Sequence, residues 1–178
     1  MEPKSFTIDP EGHPRFLPLD SSIHLKLSGT SFRIPAQQSR FVFYEAKADK
    51  LPAWFVIYST FAQPATNGLN VNVQLPHTVY LLQKDRFSRQ DLRVEEAVHD
   101  RVNRTIEFTI VNSSDKLGRV NEWELKAPGT QQRGGGFPLL PLSRRIVRTN
   151  WDSTRPAESL SIRFENFVLT QPLILAVK

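Results

Sequence analysis

Apolar and polar residues alternate along most of this 178-residue chain. A period of two residues places every second side chain on one face, and this predicts β-strands rather than helices. Residues 23–27, Ile-His-Leu-Lys-Leu, alternate strictly, and Leu69, Val71, Val73 and Leu75 form a second apolar row with the same period. Pro, Gly, Asn and Asp separate these runs, which is typical of short strands joined by tight turns.

The number and spacing of the runs predict an all-β fold, an antiparallel β-sandwich of jelly-roll-like type with about eight or nine strands and at most one short helix. The charged segment 85–101 is the least strand-like part and is where we expect that helix or a long loop. An immunoglobulin-like topology fits equally well, because the spacing of strands does not encode their order.

Two segments outside the alternating runs define the predicted domain organisation. Residues 1–20 carry several Pro and Gly residues and little periodicity, so we predict an extended N-terminal arm. Residues 21–178 are predicted to form a single β-sandwich domain, since a chain of this length fits one domain. Residues 134–136 are three consecutive glycines, which predict either a mobile loop or a place where backbone or ligand approaches closely.

Composition narrows the class of protein. The chain has no Cys, which excludes disulfides, thiolate metal sites and a Cys nucleophile. Its first residues, Met-Glu-Pro-Lys, lack the apolar region of a signal peptide, and its apolar runs are too short to cross a bilayer. We therefore expect a soluble protein without a signal peptide or membrane span, located in the cytoplasm or in a virion.

The formal net charge of +5 is spread along the chain, without a basic arm. Arg dominates one cluster, Arg133, Arg144, Arg145 and Arg148. Arg favours bidentate contact with phosphate or carboxylate, so this cluster is the predicted contact for an anion, for nucleic-acid backbone without sequence preference, or for an acidic partner. The alternative, which we favour, is that these are scattered, solvated charges.

A second candidate site is the polar segment around Trp151. Asn150, Asp152 and Arg155 flank this Trp. An aromatic ring beside such polar groups could stack against a sugar and bind its hydroxyls, so the segment is a candidate carbohydrate or ligand site. The alternative is that Trp151 folds back to cap one end of the sandwich, because Trp is usually well buried.

The signals for catalysis are weak. Glu96 and His99 would share one face of a helix, with the spacing of a Glu-x-x-His metal pair, but the second copy that such a site requires is missing. The interpretation that we favour is a solvated charged turn. The four His residues are widely separated, and no Gly-x-Ser-x-Gly motif is present. We expect no enzyme activity, no metal and no cofactor, with an enzyme site near residues 95–100 as the remaining alternative.

These observations favour a non-enzymatic, self-assembling structural protein, such as a capsid or shell subunit that forms a homo-oligomer. Strand 53–58 is apolar on both faces, the arm 1–20 could reach a neighbour, and Pro172 interrupts the C-terminal strand. Each of these could serve a subunit interface. The first alternative is a carbohydrate- or ligand-binding β-sandwich module. The sequence Asn112-Ser113-Ser114 matches the glycosylation sequon and is interpreted as chance.

Overall fold

The computed structural model describes residues 1–62, 72–173 and 176–177. Within them it contains fourteen strands and one single-turn 3₁₀ helix, Arg89–Asp91, which confirms the predicted all-β sandwich class. The strands outnumber the predicted eight or nine. The arm, the charged segment and the glycine segment all contain strands that simple alternation does not reveal. No helix in the described part of the chain is long and apolar enough to span a bilayer.

The chain divides into two compact units. Unit 1 comprises Met1–Thr7 and Pro14–Gln83, and unit 2 comprises Ile8–His13 and Lys84–Lys178. The strands in or beginning in unit 1 are β1 Glu2–Ile8, β2 Pro14–Pro18, β3 Ile23–Leu27, β4 Tyr44–Ala48, β5 Ala53–Ala62 and β6 Asn72–Leu81. Those of unit 2 are β7 Leu92–Asp100, β8 Thr105–Asn112, β9 Gly118–Ala127, β10 Thr130–Leu139, β11 Arg144–Asn150, β12 Ser159–Phe164, β13 Val168–Pro172 and β14 Ala176–Val177.

Unit 1 consists of a four-stranded sheet in the order β2-β1-β5-β6 and a separate hairpin, β3-β4. Most of the predicted arm is therefore regular strand, with β1 antiparallel to β5. Strand β5 is central, and the burial of Phe55, Val56 and Ile57 on both of its faces explains its solidly apolar sequence. The apolar cluster that holds this unit together contains Ile23, Ala53, Phe55, Ile57 and Val79.

Unit 2 is a sandwich of two four-stranded sheets, β10-β9-β12-β13 and β11-β8-β7-β14. All pairings are antiparallel except that of the short β14 with β7. The hairpins β7-β8, β9-β10 and β12-β13 each stay within one sheet. Of the two topologies that the sequence left open, this order is that of an immunoglobulin-type sandwich in which the fourth strand pairs with the third.

The core of unit 2 lies between its two sheets. Ile106, Phe108 and Ile110 alternate along β8 and are fully buried, and Phe108 packs edge-on against Trp123 of β9 at 5.6 Å between ring centroids. Burying side chains of this size stabilises the fold by about 1.5–3 kcal/mol each. The register of β12 against β9 shifts between Arg163 and Phe164, which marks a β-bulge in β9.

Candidate functional site

The outer part of the β5-β6 hairpin carries an exposed apolar row. Phe61 pairs with Val73, and Leu75 pairs with Ser59, so these three apolar side chains lie on the same face of the sheet. Phe55 and Ile57 lie on the same face, nearer the start of β5, and are buried in the core. Further along it the row leaves the core, and Phe61, Val73 and Leu75 are 43%, 47% and 54% exposed. The alternation of apolar residues therefore continues along these strands beyond the part of the face that the rest of the protein buries.

Strand β6 is also an edge strand. It lies at the end of the order β2-β1-β5-β6, so one side of its backbone faces no other strand among the described residues. The β3-β4 hairpin contacts β6 through Tyr44, whose hydroxyl lies 3.2 Å from Nε2 of His77. Phe43 and Phe41, in the segment before Tyr44, are 72% and 79% exposed. An unpaired backbone edge beside exposed apolar side chains is a template for another strand.

The two units differ in the proportion of their apolar side chains that is exposed to solvent. Among the described residues, seven apolar side chains are buried in unit 1 and eighteen in unit 2. The exposed large apolar residues of unit 1 number eleven: Phe16, Leu17, Ile34, Phe41, Phe43, Tyr44, Leu51, Phe61, Val73, Leu75 and Leu82. Those of unit 2 number three: Val102, Leu142 and Val168. Concentrations of exposed apolar surface of this kind mark interaction sites.

A groove of about 540 Å³ opens in unit 2 between the edge strands β10 and β11. Its walls include Trp123, Phe137 and Arg145, and its floor at β10 includes Gly135 and Gly136. The glycine segment is thus a regular strand rather than a mobile loop. The prediction of close approach holds at two of its three positions.

The close approaches explain why side chains are missing there. A Cβ on Gly134 would stand 2.0 Å from the indole of Trp123. A Cβ on Gly136 would stand 2.2 Å from the carbonyl oxygen of Val120, where the β9 bulge presses its backbone against β10. At Gly135, by contrast, nothing lies within 4 Å of where a Cβ would stand, and this residue lines the groove.

Arg145 points into this groove and is held without polar partners. Its guanidinium carbon lies 5.0 Å from the centroid of the Phe137 ring, and its Nε is buried with no hydrogen-bond partner. Gly12, with φ of +98°, packs directly against the guanidinium, since a Cβ there would lie 1.4 Å from Nη1. Burial lowers the pKa of Arg145, while Asp9 and Glu11 oppose that shift by their charge.

The other three members of the predicted Arg cluster are engaged in ion pairs. Arg144 contacts Glu95 at 3.2 Å, and Nε of Arg148 donates to Glu107 at 2.8 Å. Arg133 donates to Glu124 at 2.6 Å, and hydrogen bonds from Lys126 and Arg133 lower the pKa of the Glu124 carboxyl. Arg133 lies in one sheet and the other three lie in the opposite sheet. The structure therefore does not bring the four residues together as one free basic face.

The segment around Trp151 has a different geometry from the predicted sugar site. Trp151 is 1% exposed and belongs to the core of unit 2, and its Nε1 donates to the carbonyl oxygen of Arg155 at 2.8 Å. Its ring presents no face to solvent, because burying so large an apolar surface stabilises the sandwich. Asn150, Asp152 and Arg155 are exposed beside it. A role of these three in ligand binding stays a prediction.

The segment 95–100 is neither a helix nor a solvated turn. It lies in β7, and its register against β8 shifts between Glu95 and Val98. His99 is 2% exposed, and its Nδ1 has no hydrogen-bond partner in the described part of the chain. Desolvation, followed by the charge of Arg101, lowers the pKa of His99. Within the described residues no three His, Asp or Glu side chains gather as a metal site requires.

The buried His99 makes the stability of the protein depend on pH. In the folded state its pKa lies below the ordinary value of 6.5, so the unfolded chain takes up a proton that the folded chain does not. We expect the free energy of unfolding to fall as pH drops below 6.5, by at most about 1.4 kcal/mol per pH unit. Urea unfolding between pH 7.5 and 5 should show this slope, and His99→Gln should reduce it. An equal reduction by His24→Gln, at an exposed position, would contradict the assignment.

Sequence reasoning missed the two features that stand out in the structure. The exposed row on β6 was visible as alternation, but alternation alone does not say whether the apolar face is covered. The position of Arg145 beside Gly12 depends on a contact between distant parts of the chain. Comparison with known proteins adds no assignment, since no family model, curated protein or solved structure matches this chain.

Proposed function

We propose that this protein is a non-enzymatic protein-assembly domain in which unit 1 binds an extended segment of another polypeptide along β6. The observation that carries the proposal is the coincidence, on one strand, of a backbone edge that pairs with no described strand and exposed apolar side chains, Val73 and Leu75. Backbone hydrogen bonds along such an edge supply affinity, and alternate side chains supply selectivity. The expected partner segment is extended and carries apolar residues at every second position.

The composition of unit 1 supports this function. Its smaller layer is a hairpin of two strands, whereas its main sheet has four. Phe41, Phe43 and Phe61 are exposed in the same unit. An added strand would bury part of this surface, at a gain of about 25 cal/mol for each Å² of apolar area removed from water. The partner would thus extend the four-stranded sheet of unit 1 by one strand, beside its exposed apolar row.

Self-assembly into a homo-oligomer, with a capsid or shell subunit as its most specific form, is the version of this proposal in which a second copy supplies the strand. An edge strand can pair with its own copy across a twofold axis, because such an interface uses the same surface twice. The two-sided apolar segment 53–58 of β5 no longer supports this version, since Phe55, Val56 and Ile57 are buried within unit 1. The exposed row on the β5-β6 hairpin takes its place.

Leu75→Asp is expected to weaken association at least about tenfold, because it places a charge in the centre of the apolar row. Leu75 is more than half exposed, so the fold should lose no more than about 0.5 kcal/mol. Val102→Asp, at an exposed apolar position of unit 2, is the matched control. Light scattering over a range of concentrations should show a mass that rises with concentration for the wild type and Val102→Asp. It should show little rise for Leu75→Asp.

A wild-type chain that stays monomeric at every concentration would contradict the self-assembling version. Association that survives Leu75→Asp unchanged would contradict the placement of the interface on β6. Melting temperatures of the three proteins, measured alongside, would separate a loss of binding from a loss of folding.

A further inference from the structure

A second binding site lies in unit 2, independent of the edge of β6. We propose that the groove between β10 and β11 binds a small monocarboxylate with an aromatic or branched apolar body, and that Arg145 receives the carboxylate. Three observations carry this inference: the arginine side chain has no hydrogen bond or ion pair with any described residue, the groove has aromatic walls, and the charges around it disfavour a polyanion.

Arg145 is poorly explained as a structural residue. The structure gives its guanidinium no hydrogen bond and no ion pair with any described residue, although Nε is buried. A buried donor that is left without a partner destabilises the folded state, and more so when it is charged. Its neighbours Arg144 and Arg148 both reach carboxylates. A neutral or apolar side chain at position 145 would suit the fold better, so this arginine is a candidate for binding.

The position of Arg145 is fixed in a way that suits a receptor. The ring of Phe137 supports one side of the guanidinium, and the bare Cα of Gly12 allows the chain to pack closely against it. The amide of Ile146, the next residue, donates to the carbonyl oxygen of Pro10 at 2.8 Å and ties segment 8–13 to β11. A planar guanidinium held in this way presents parallel N–H groups to a carboxylate with little further loss of entropy.

The charges around the groove select for a single negative charge. Glu11 lines the groove, and it and Asp9 both act on the charge of Arg145. Arg148, the other cation in the lining, is already paired with Glu107. A phosphate or a nucleic-acid strand would meet one available guanidinium and two acids, and like charges in proximity weaken binding. A monocarboxylate satisfies Arg145 with the least repulsion.

The walls of the groove specify the rest of the ligand. Trp123 and Phe137 line it, and the missing side chain of Gly135 leaves room, since nothing lies within 4 Å of where its Cβ would stand. A groove of about 540 Å³ lies within the size range of small-molecule sites, which are mostly apolar with a few placed polar groups. An aromatic or branched apolar group would fill this space while its carboxylate contacts Arg145.

Benzoate is the probe for the test, and benzamide, its neutral counterpart of the same shape, is the ligand control. The full chain would be titrated with each, and with inorganic phosphate, while the NMR signal of the Arg145 Nε–H group is followed. The variant is Arg145→Gln. The matched control is Arg144→Gln, which removes the neighbouring arginine that is paired with Glu95.

Benzoate should shift the Arg145 signal in a saturable way, and benzamide should not. Arg145→Gln should weaken benzoate binding by about tenfold or more, as expected for loss of a charged hydrogen bond, and Arg144→Gln should leave it unchanged. The melting temperature of Arg145→Gln should equal or exceed that of the wild type. Benzoate binding that is equal in Arg145→Gln and wild type, or absent in both, would overturn the site. Tighter binding of phosphate than of benzoate would overturn the ligand class.

Discussion

Asn112→Asp should lower the free energy of unfolding by about 3–5 kcal/mol, the range found when a buried charge loses compensation. Asn112 is 1% exposed at the end of β8. Its Nδ2 donates to the carbonyl oxygens of Lys116 at 2.7 Å and Leu140 at 2.9 Å, and Leu139 O lies 3.3 Å away. A carboxylate in this place would turn each of these contacts into a repulsion between oxygens.

This effect would extend across unit 2, because Asn112 joins its two sheets. Asn112 belongs to β8, and Leu139 ends β10 in the opposite sheet. The Oδ1 atom also accepts hydrogen bonds from the amide and the hydroxyl of Ser114, which fixes the turn after β8. The same burial excludes this Asn as a glycan acceptor in the folded chain, in line with the interpretation of its sequon as chance.

Urea unfolding at pH 7 is the measurement, with Asn150→Asp as the matched control because Asn150 is exposed. The control should change the free energy of unfolding by no more than about 0.5 kcal/mol. Lower pH should partly restore Asn112→Asp, since a protonated carboxyl can donate one hydrogen bond. A loss below about 1 kcal/mol at position 112 would contradict its role as the buried polar junction.

Gly136→Ala is the second substitution with a large expected effect. It should lower the free energy of unfolding by about 3 kcal/mol, because the added methyl group has no space. Its Cβ would stand 2.2 Å from the oxygen of Val120 and 2.5 Å from that of Asn121. Both are backbone atoms of the β9 bulge, so neither can rotate away as a side chain would. The substitution must separate β9 from β10 or remodel the bulge.

The neighbouring glycines form a graded control series. Nothing lies within 4 Å of a Cβ on Gly135, so Gly135→Ala should change stability by no more than about 0.5 kcal/mol. On Gly134 a Cβ would meet the indole of Trp123, a side chain that can shift, so an intermediate loss is expected. In thermal unfolding, the loss of stability should be largest for the alanine variant of Gly136, intermediate for that of Gly134 and smallest for that of Gly135. Equal stability of Gly135→Ala and Gly136→Ala would contradict the register of β10.

Much of the fold could be predicted from the sequence because its strands obey a simple period. Strand β3 alternates strictly and β8 alternates from Thr105 to Ile110, and both form where the pattern places them. Strands β7 and β10 escaped prediction for identifiable reasons. The bulge in β7 interrupts its period, and the glycines of β10 have no side chains to show one. The strand order of the sandwich depends on pairings between distant segments, which no local pattern encodes.

The candidate sites were less predictable, because partners decide whether a side chain is available. Arg144, Arg145 and Arg148 look alike in the sequence, yet Arg144 reaches Glu95, forty-nine residues away, and Arg145 forms no ion pair with any described residue. Trp151 lies in a polar segment and is nevertheless buried by contacts within unit 2. The alternation in the sequence predicts the apolar row at Val73 and Leu75. It does not predict that the row is exposed, because the exposure results from the small size of the β3-β4 hairpin beside the four-stranded sheet of unit 1.

The most direct test of the central claim is a selection of displayed peptides of about ten residues, the length of a long strand, on the immobilised full chain. Wild-type protein and Val102→Asp should both enrich peptides with apolar residues at every second position. Leu75→Asp should not, because its charge would lie beside the apolar side chains of the added strand, on the same face of the sheet. Failure of the wild type to enrich such peptides, or equal enrichment by Leu75→Asp, would contradict the proposal that unit 1 binds an extended segment along β6.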